Sequence, residues 1–259
     1  MRFNQSDLNE LLHAFPRLRP RPASQLGLAV VAGVIPFEAS SCGKPTILDE
    51  YRIRLEVALT PTSSLPKVYE EGGRIPRKAE NHVNPGGDLC LGSPLRLLSV
   101  AGPAPTLIEF VDRCVVPFLY AASWREQGRP GFPFDELAHG SHGLIADYER
   151  LFAMQGSSAV VGALLLLGRR KRVANKMQCS CGCGRRLVMC STHARLAGFR
   201  TLASRSFYRS QASLIDGLNR SEALVPTKKV PSRRLEMHRL PNLPLLAARA
   251  GESSKSRLE

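Results

Sequence analysis

His82-Val-Asn-Pro-Gly-Gly-Asp-Leu-Cys-Leu91 sets Cys90 between two leucines, directly after a turn that bears two glycines. Asn84 lies six residues upstream of the thiol, and His82 two residues before that. The residues alone leave two readings of the thiol open. As a nucleophile, Cys90 has Asn84 at hand to donate a hydrogen bond to a developing oxyanion. As a small hydrophobe where a strand begins, it is inert, the common fate of a free intracellular cysteine. The elements on either side have to decide.

Upstream, Ser6 to Phe15 reads as a short amphipathic helix with Ser6 as N-cap and Leu8, Leu11, Leu12 and Phe15 at helical spacing. Leu26 to Ala39 is apolar and β-branched, a buried strand expected to turn at Gly33 or Pro36. Tyr51-Arg-Ile-Arg-Leu-Glu-Val-Ala-Leu59 alternates with period two, as a strand with one wet face does, and Lys67 to Glu70 is a short further strand. Downstream, Thr106 to Trp124 carries a helical apolar stripe interrupted by Pro117, where a kink is expected. Leu144 to Phe152 reads as another helix, resuming after a break at Gly156 as Ala159 to Leu167. Helix, strands, the cysteine segment and then helices make an α+β fold.

In that order, His82-Val83-Asn84 followed by Gly87-Asp88-Leu89-Cys90-Leu91 resembles the active-site signature of ubiquitin-conjugating enzymes, His-Pro-Asn and then Gly-x-x-Cys-Leu. The resemblance spans about residues 5–152, and is narrower to the stand-alone prokaryotic branch, through Phe110 to Tyr120, Gly131-Phe-Pro133, His139-Gly140 and Tyr148. Val83 stands where the family has proline, and the Asn-to-Cys segment is two residues shorter than in eukaryotic members. The resemblance implies an N-terminal helix, an antiparallel β-meander and C-terminal helices. It implies that Cys90 carries a ubiquitin-like modifier as a thioester received from an activating enzyme and passes it to an amine of a target protein. Asn84 would stabilise the oxyanion and His82 would hold the turn, with Asp88, His139 and His142 as candidates for taking the amine's proton. The alternative is a non-catalytic adaptor of the same fold; a Cys-His hydrolase using His139 or His142 has only residue types behind it.

A second constellation, Cys179-Ser-Cys-Gly-Cys183 with Cys190 and His193, places four thiols and an imidazole within 15 residues. Such a set suits structural zinc. Cys-x-Cys-x8-Cys resembles the small SEC-C zinc motif, which makes Cys179, Cys181 and Cys190 ligands; Ser191 occupies the position of the motif's fourth. His193 is taken as the fourth ligand, with Cys183 the alternative. So short a knuckle has almost no core, so its fold is expected to need the metal.

Charge is divided unevenly. Residues 1–156 carry 16 basic and 17 acidic side chains, whereas residues 157–259 carry 20 and 5. The expected organisation is a conjugating-enzyme-like domain over 1–155, a helix and zinc knuckle over 156–198, and a basic, largely disordered tail over 199–259. Nucleic acid is a possible partner of that tail. No signal peptide is expected at Met1 and no membrane partner, because the longest apolar run, Ala159 to Leu167, falls far short of the ~20 residues of a span. Clustered free thiols point to the cytoplasm.

Overall fold

A computed structural model of the chain describes residues 1–41, 43–59, 64–130, 133–134 and 140–223. Cys42, His139 and the basic stretch 224–259 lie outside the described residues. In chain order come α1 (Gln5–Ala14), β1 (Leu18–Arg21), β2 (Leu28–Ala39), β3 (Ile47–Ala58), β4 (Lys67–Glu70) and a 3-10 turn (Ala79–Asn81). Then follow α2 (Pro94–Ala101), α3 (Leu107–Phe110), a π-turn (Val111–Val115), α4 (Val116–Glu126), α5 (Gly140–Phe152) and α6 (Ser157–Leu167). The last are α7 (Lys171–Ala174), a 3-10 turn (Leu187–Met189), α8 (Thr192–Phe199) and α9 (Arg205–Ala223). The described chain forms two compact units, residues 1–91 with 104–134, and residues 92–103 with 140–223.

In the first unit, α1 is capped by Asn4 and not by Ser6. The Asn4 side chain accepts from the Ser6 and Asp7 N–H groups at 2.7 and 3.1 Å, and Asp7 returns the bond to the Asn4 N–H. This reciprocal box satisfies donors that the first helical turn would otherwise orphan. The four strands make an antiparallel meander in the order β1-β2-β3-β4. β1 carries Pro20 and buries only Leu18, so it has none of the alternation that marks a strand; it survives as an edge, where a proline's missing donor costs no ladder bond.

β2 runs straight through both positions where a turn was expected. Gly33, at φ +153°, pairs with Leu18, and a Cβ there would sit 2.0 Å from the Arg17 carbonyl oxygen. The glycine marks a close approach of β1 and not a bend. Pro36 lies beyond the span of β2 that β1 pairs. β3 alternates as its sequence predicts, burying Tyr51, Ile53, Leu55 and Val57.

α4 packs on β2 and β3, and α1 on α3. Thr106 caps α3 in a second box with Glu109. Pro117 does not break the helix that follows. Its missing N–H is absorbed by the π-turn immediately before it, which keeps Phe110, Val111, Val115 and Leu119 all buried.

A polar cluster fastens this helix to the sheet. The Arg74 guanidinium donates to both Asp49 carboxylate oxygens at 2.8 and 2.9 Å, pairs with Glu126 of α4, and lies 3.9 Å from the Tyr51 ring centroid. Ser123 of α4 donates to Asp49 at 2.6 Å. Arg74 holds the Asp49 carboxyl down at about 2. A depressed folded-state value stabilises above the ordinary carboxylate range, and the stabilisation is lost as pH falls toward 2. Asp49→Asn is therefore expected to cost roughly 1–2 kcal/mol at pH 7 and almost nothing near pH 2. Urea titrations followed by the fluorescence of Trp124, the chain's single tryptophan, measure this. An equal cost at both pH values would show that the ion pair does not hold the helix.

The second unit is helical. α2 was not expected, although Ser93 as N-cap and Pro94 in the first turn are its signature. The buried Asp147 carboxylate of α5 accepts from the Ser93 hydroxyl and from the Arg96 guanidinium, Nε lying at 2.7 Å. One apolar cluster joins Leu95, Tyr148, Phe152, Val160, Leu164, Leu167, Leu196, Tyr208 and Ile215.

Two expectations are corrected here. A division at 155/156 would separate α5 from its partners, because Tyr148 and Phe152 belong to the cluster that α6, α8 and α9 complete. The expected disordered tail contains α9, where Tyr208, Ala212 and Ile215 recur at i, i+4 and i+7 and are buried against α6. Two serines, an arginine and a glutamine between them thin the stripe to one residue per turn. Among the described residues no single helix is long and apolar enough to cross a membrane.

Candidate functional site

Cys90 stands on one arm of a tight hairpin. His82-Val83-Asn84 forms the first arm and Asp88-Leu89-Cys90 the second, joined through Pro85-Gly86-Gly87. The Gly87 N–H donates to the Asn84 carbonyl at 2.8 Å, the Asn84 N–H to the Asp88 carbonyl at 2.8 Å, and the Cys90 N–H to the His82 carbonyl at 2.7 Å. His82 takes a left-handed backbone, φ 54° and ψ 44°, which a side chain other than glycine rarely adopts. The second arm also extends the sheet: the Leu89 N–H donates to the Val68 carbonyl at 2.7 Å, and Asp88 bridges Tyr69 of β4.

Strand alternation then sorts the side chains. Val83 and Leu89 are buried, while Asn84, Asp88 and Cys90 share the opposite, half-exposed face. His82 is buried at the base of the turn. The Asn84 side-chain amide donates to the Asp88 carboxylate at 2.7 Å. The sequence pointed to Asn84 and Cys90 as partners; the structure adds Asp88 as the group that holds the amide. An open depression beside the turn is lined by Arg77, Ala79, Val83 and residues 84–87. Nothing in the spacing pointed to Arg77, which lies five residues before His82 in an irregular segment. Cys114, on the apolar stripe of its helix, is buried, and burial pushes its thiol up to about 12, as befits an inert core residue. His142 lies in α5 of the second unit.

The other cluster is a set of thiols. The sulfurs of Cys179, Cys181, Cys183 and Cys190 all lie within 4.8 Å of one another, with Cys179 to Cys181 at 3.3 Å and Cys181 to Cys190 at 3.6 Å. Four sulfurs around one zinc at about 2.3 Å would be about 3.8 Å apart, so the set fits a tetrahedral thiophilic ion. Gly182 and Gly184, at φ 82° and 72°, turn the chain so that three successive odd-numbered cysteines converge.

His193 is the correction. It stands outside the four-sulfur group, and its Nε2 is buried with no hydrogen-bond partner among the described residues, while Cys183 completes the set. An i+3 imidazole at the start of α8 is carried away by the helix, whereas Cys183 sits on the same loop as Cys181. Thr192 beside Cys190 holds that thiol down to about 6 through its hydroxyl and N–H, whereas burial pushes Cys179 up to about 12. Nor is the knuckle without a core: Cys179, Leu187 and Cys190 are buried in the helical cluster.

Searches against protein-family models, curated proteins and solved structures find no match to this chain.

One zinc per chain is expected. Cys183→Ser should weaken it at least tenfold and His193→Ala should leave it unchanged, measured by competition with a chromogenic chelator. Retention should fall as pH is lowered, because protons compete for the thiolates. Chelation should leave most far-UV helicity intact, since the helices around the knuckle have their own apolar core. Metal loss with His193→Ala but not with Cys183→Ser would overturn the four-thiol set.

Proposed function

We propose that the first unit is a ubiquitin-conjugating-enzyme-like domain of the prokaryotic kind, carrying a ubiquitin-like modifier as a thioester on Cys90 and transferring it to a target amine. The supporting observation is the hairpin. It sets a half-exposed thiol, an amide donor and a carboxylate on one face, after a helix and a four-stranded meander and before helices. The second unit is read as a SEC-C-like knuckle with zinc in a structural role, all four donors being protein thiols. Free thiols and an ATP-charged donor suit the cytoplasm.

The Cys90 thiolate attacks the carbonyl carbon of the modifier's thioester on an activating enzyme. The old C–S bond breaks, and the departing sulfur takes up a proton. A target amine then attacks the new thioester, and the tetrahedral oxyanion collapses with Cys90 leaving as thiolate. Asn84 is the oxyanion donor: an amide nitrogen has two N–H groups, and the bond to Asp88 uses one. Asp88, on the same face, is the carboxylate positioned to accept the amine's proton.

A second reading, an adaptor of the same fold that binds without chemistry, draws on the Asn84–Asp88 bond, which turns the amide toward the hairpin itself, and on Val83, which stands where the family has proline. Incubation with activating enzyme, modifier and ATP separates the two. The enzyme reading expects a thiol-sensitive adduct that is absent in Cys90→Ala and becomes thiol-resistant in Cys90→Ser. Asn84→Ala should load within about twofold of wild type yet transfer to an amine about 10²–10³-fold more slowly. No adduct with any modifier encoded beside the gene would favour the adaptor.

A further inference from the structure

The cysteine knuckle is built on a two-armed loop whose outward face is cationic. The Cys179 N–H donates to the Arg185 carbonyl at 2.8 Å, the Leu187 N–H to the Met177 carbonyl at 2.8 Å and the Val188 N–H to the Asn175 carbonyl at 3.3 Å, while Gln178 bridges Arg186. Alternation along these arms turns Cys179 and Leu187 into the core. It leaves Lys176, Gln178, Arg186 and Val188 on the outside, all exposed. The chain enters this loop directly from Arg169-Arg-Lys-Arg172, whose four side chains are exposed as well.

This stretch of sequence has no carboxylate of its own. Residues 151–215 contain 11 Lys and Arg and no Asp or Glu. Three of the arginines are spent on backbone carbonyls: Arg195 on Phe152, Arg200 on Leu166, Leu167 and Arg169, and Arg209 on Gly168. Arg185 lies against the Cys183 thiol. Among the described residues, Arg169, Arg170, Lys171, Arg172, Lys176 and Arg186 have no carboxylate within ion-pair distance. Six cations held on one short stretch repel one another, and a polyanion relieves this.

We infer that the knuckle face of the second unit, Arg169 to Arg172 with Lys176 and Arg186, binds the phosphate backbone of double-helical nucleic acid without reading its sequence. Four of the six are arginines, whose planar fork matches a phosphate. A protein partner would ask for an apolar centre with few charges, whereas the face offers six cations against Val173, Val188 and Met189. Single strands are bound by stacking on exposed aromatics, and the large hydrophobics exposed in this unit include none. All six cations belong to the described residues of the second unit.

The test uses the full chain and four 20-base-pair probes, two DNA and two RNA duplexes of unrelated sequence, followed by fluorescence anisotropy from 50 to 200 mM KCl. Wild type should bind all four within about threefold of one another. The fourfold variant Arg170→Gln, Arg172→Gln, Lys176→Gln, Arg186→Gln should bind at least tenfold more weakly at 50 mM, and its log–log salt slope should be shallower by about 3 to 4. Its far-UV spectrum and zinc content should match wild type, and Arg170→Lys with Arg172→Lys should restore part of the affinity. No binding at 50 mM KCl, or an unchanged slope in the fourfold variant, would overturn the site. So would competition by polyglutamate as effective as duplex at equal charge, which would assign the face to an acidic protein.

Discussion

One backbone hydrogen bond, from the Leu89 N–H to the Val68 carbonyl, makes the Cys90 hairpin part of the sheet instead of a loop. β4 is only four residues long, and without this bond its outer edge would end in water. With it, the arm carrying the thiol inherits the alternation of the meander: Leu89 points in, Asp88 and Cys90 point out. The strain at His82 belongs to the same construction. A left-handed residue is tolerable where several hydrogen bonds over-determine it, and here its carbonyl is the acceptor for the Cys90 N–H. The face that carries Cys90 thus rests on backbone geometry, with the Asn84–Asp88 pair as a side-chain latch.

The second unit follows a different economy. Its apolar core is made by α5, α6, α8 and α9, and the sulfur cluster sits at the margin of that core, with two thiols buried and two exposed. A metal held there fixes a loop; the helices stand on their own packing. That separates it from small zinc modules whose fold exists only with the ion. Zinc with four thiolates also brings two net negative charges into a stretch that has no carboxylate, which offsets part of the repulsion among the surrounding arginines.

Much of the first unit was legible. Tyr51 to Leu59 alternates so cleanly that its buried face could be written down, and the cysteine turn was visible from Gly86-Gly87 and the flanking leucines. β1 was not, because three of its four residues face water and one is proline. Gly33 misled: a glycine that marks a close approach of two strands looks, one-dimensionally, like a bend. Around the thiol cluster, the cysteines declared themselves but the choice between Cys183 and His193 did not, since spacing along a chain does not say where a helix begins. α9 was hidden by composition, its three buried residues spread among serines and arginines. Asp88 as the holder of Asn84 required the hairpin register, which only three-dimensional pairing supplies.

The assignment of residues 92–103 to the second unit has a consequence for how the chain can be divided. The polypeptide leaves the first unit just after Cys90, returns at residue 104 and leaves again beyond residue 134, so no single cut yields both units whole. A fragment ending at residue 155 would keep α2 and α5 but lose α6, α8 and α9, leaving Leu95, Tyr148 and Phe152 without the surfaces that bury them. A single crossover at that point would therefore leave the second unit without its complete core.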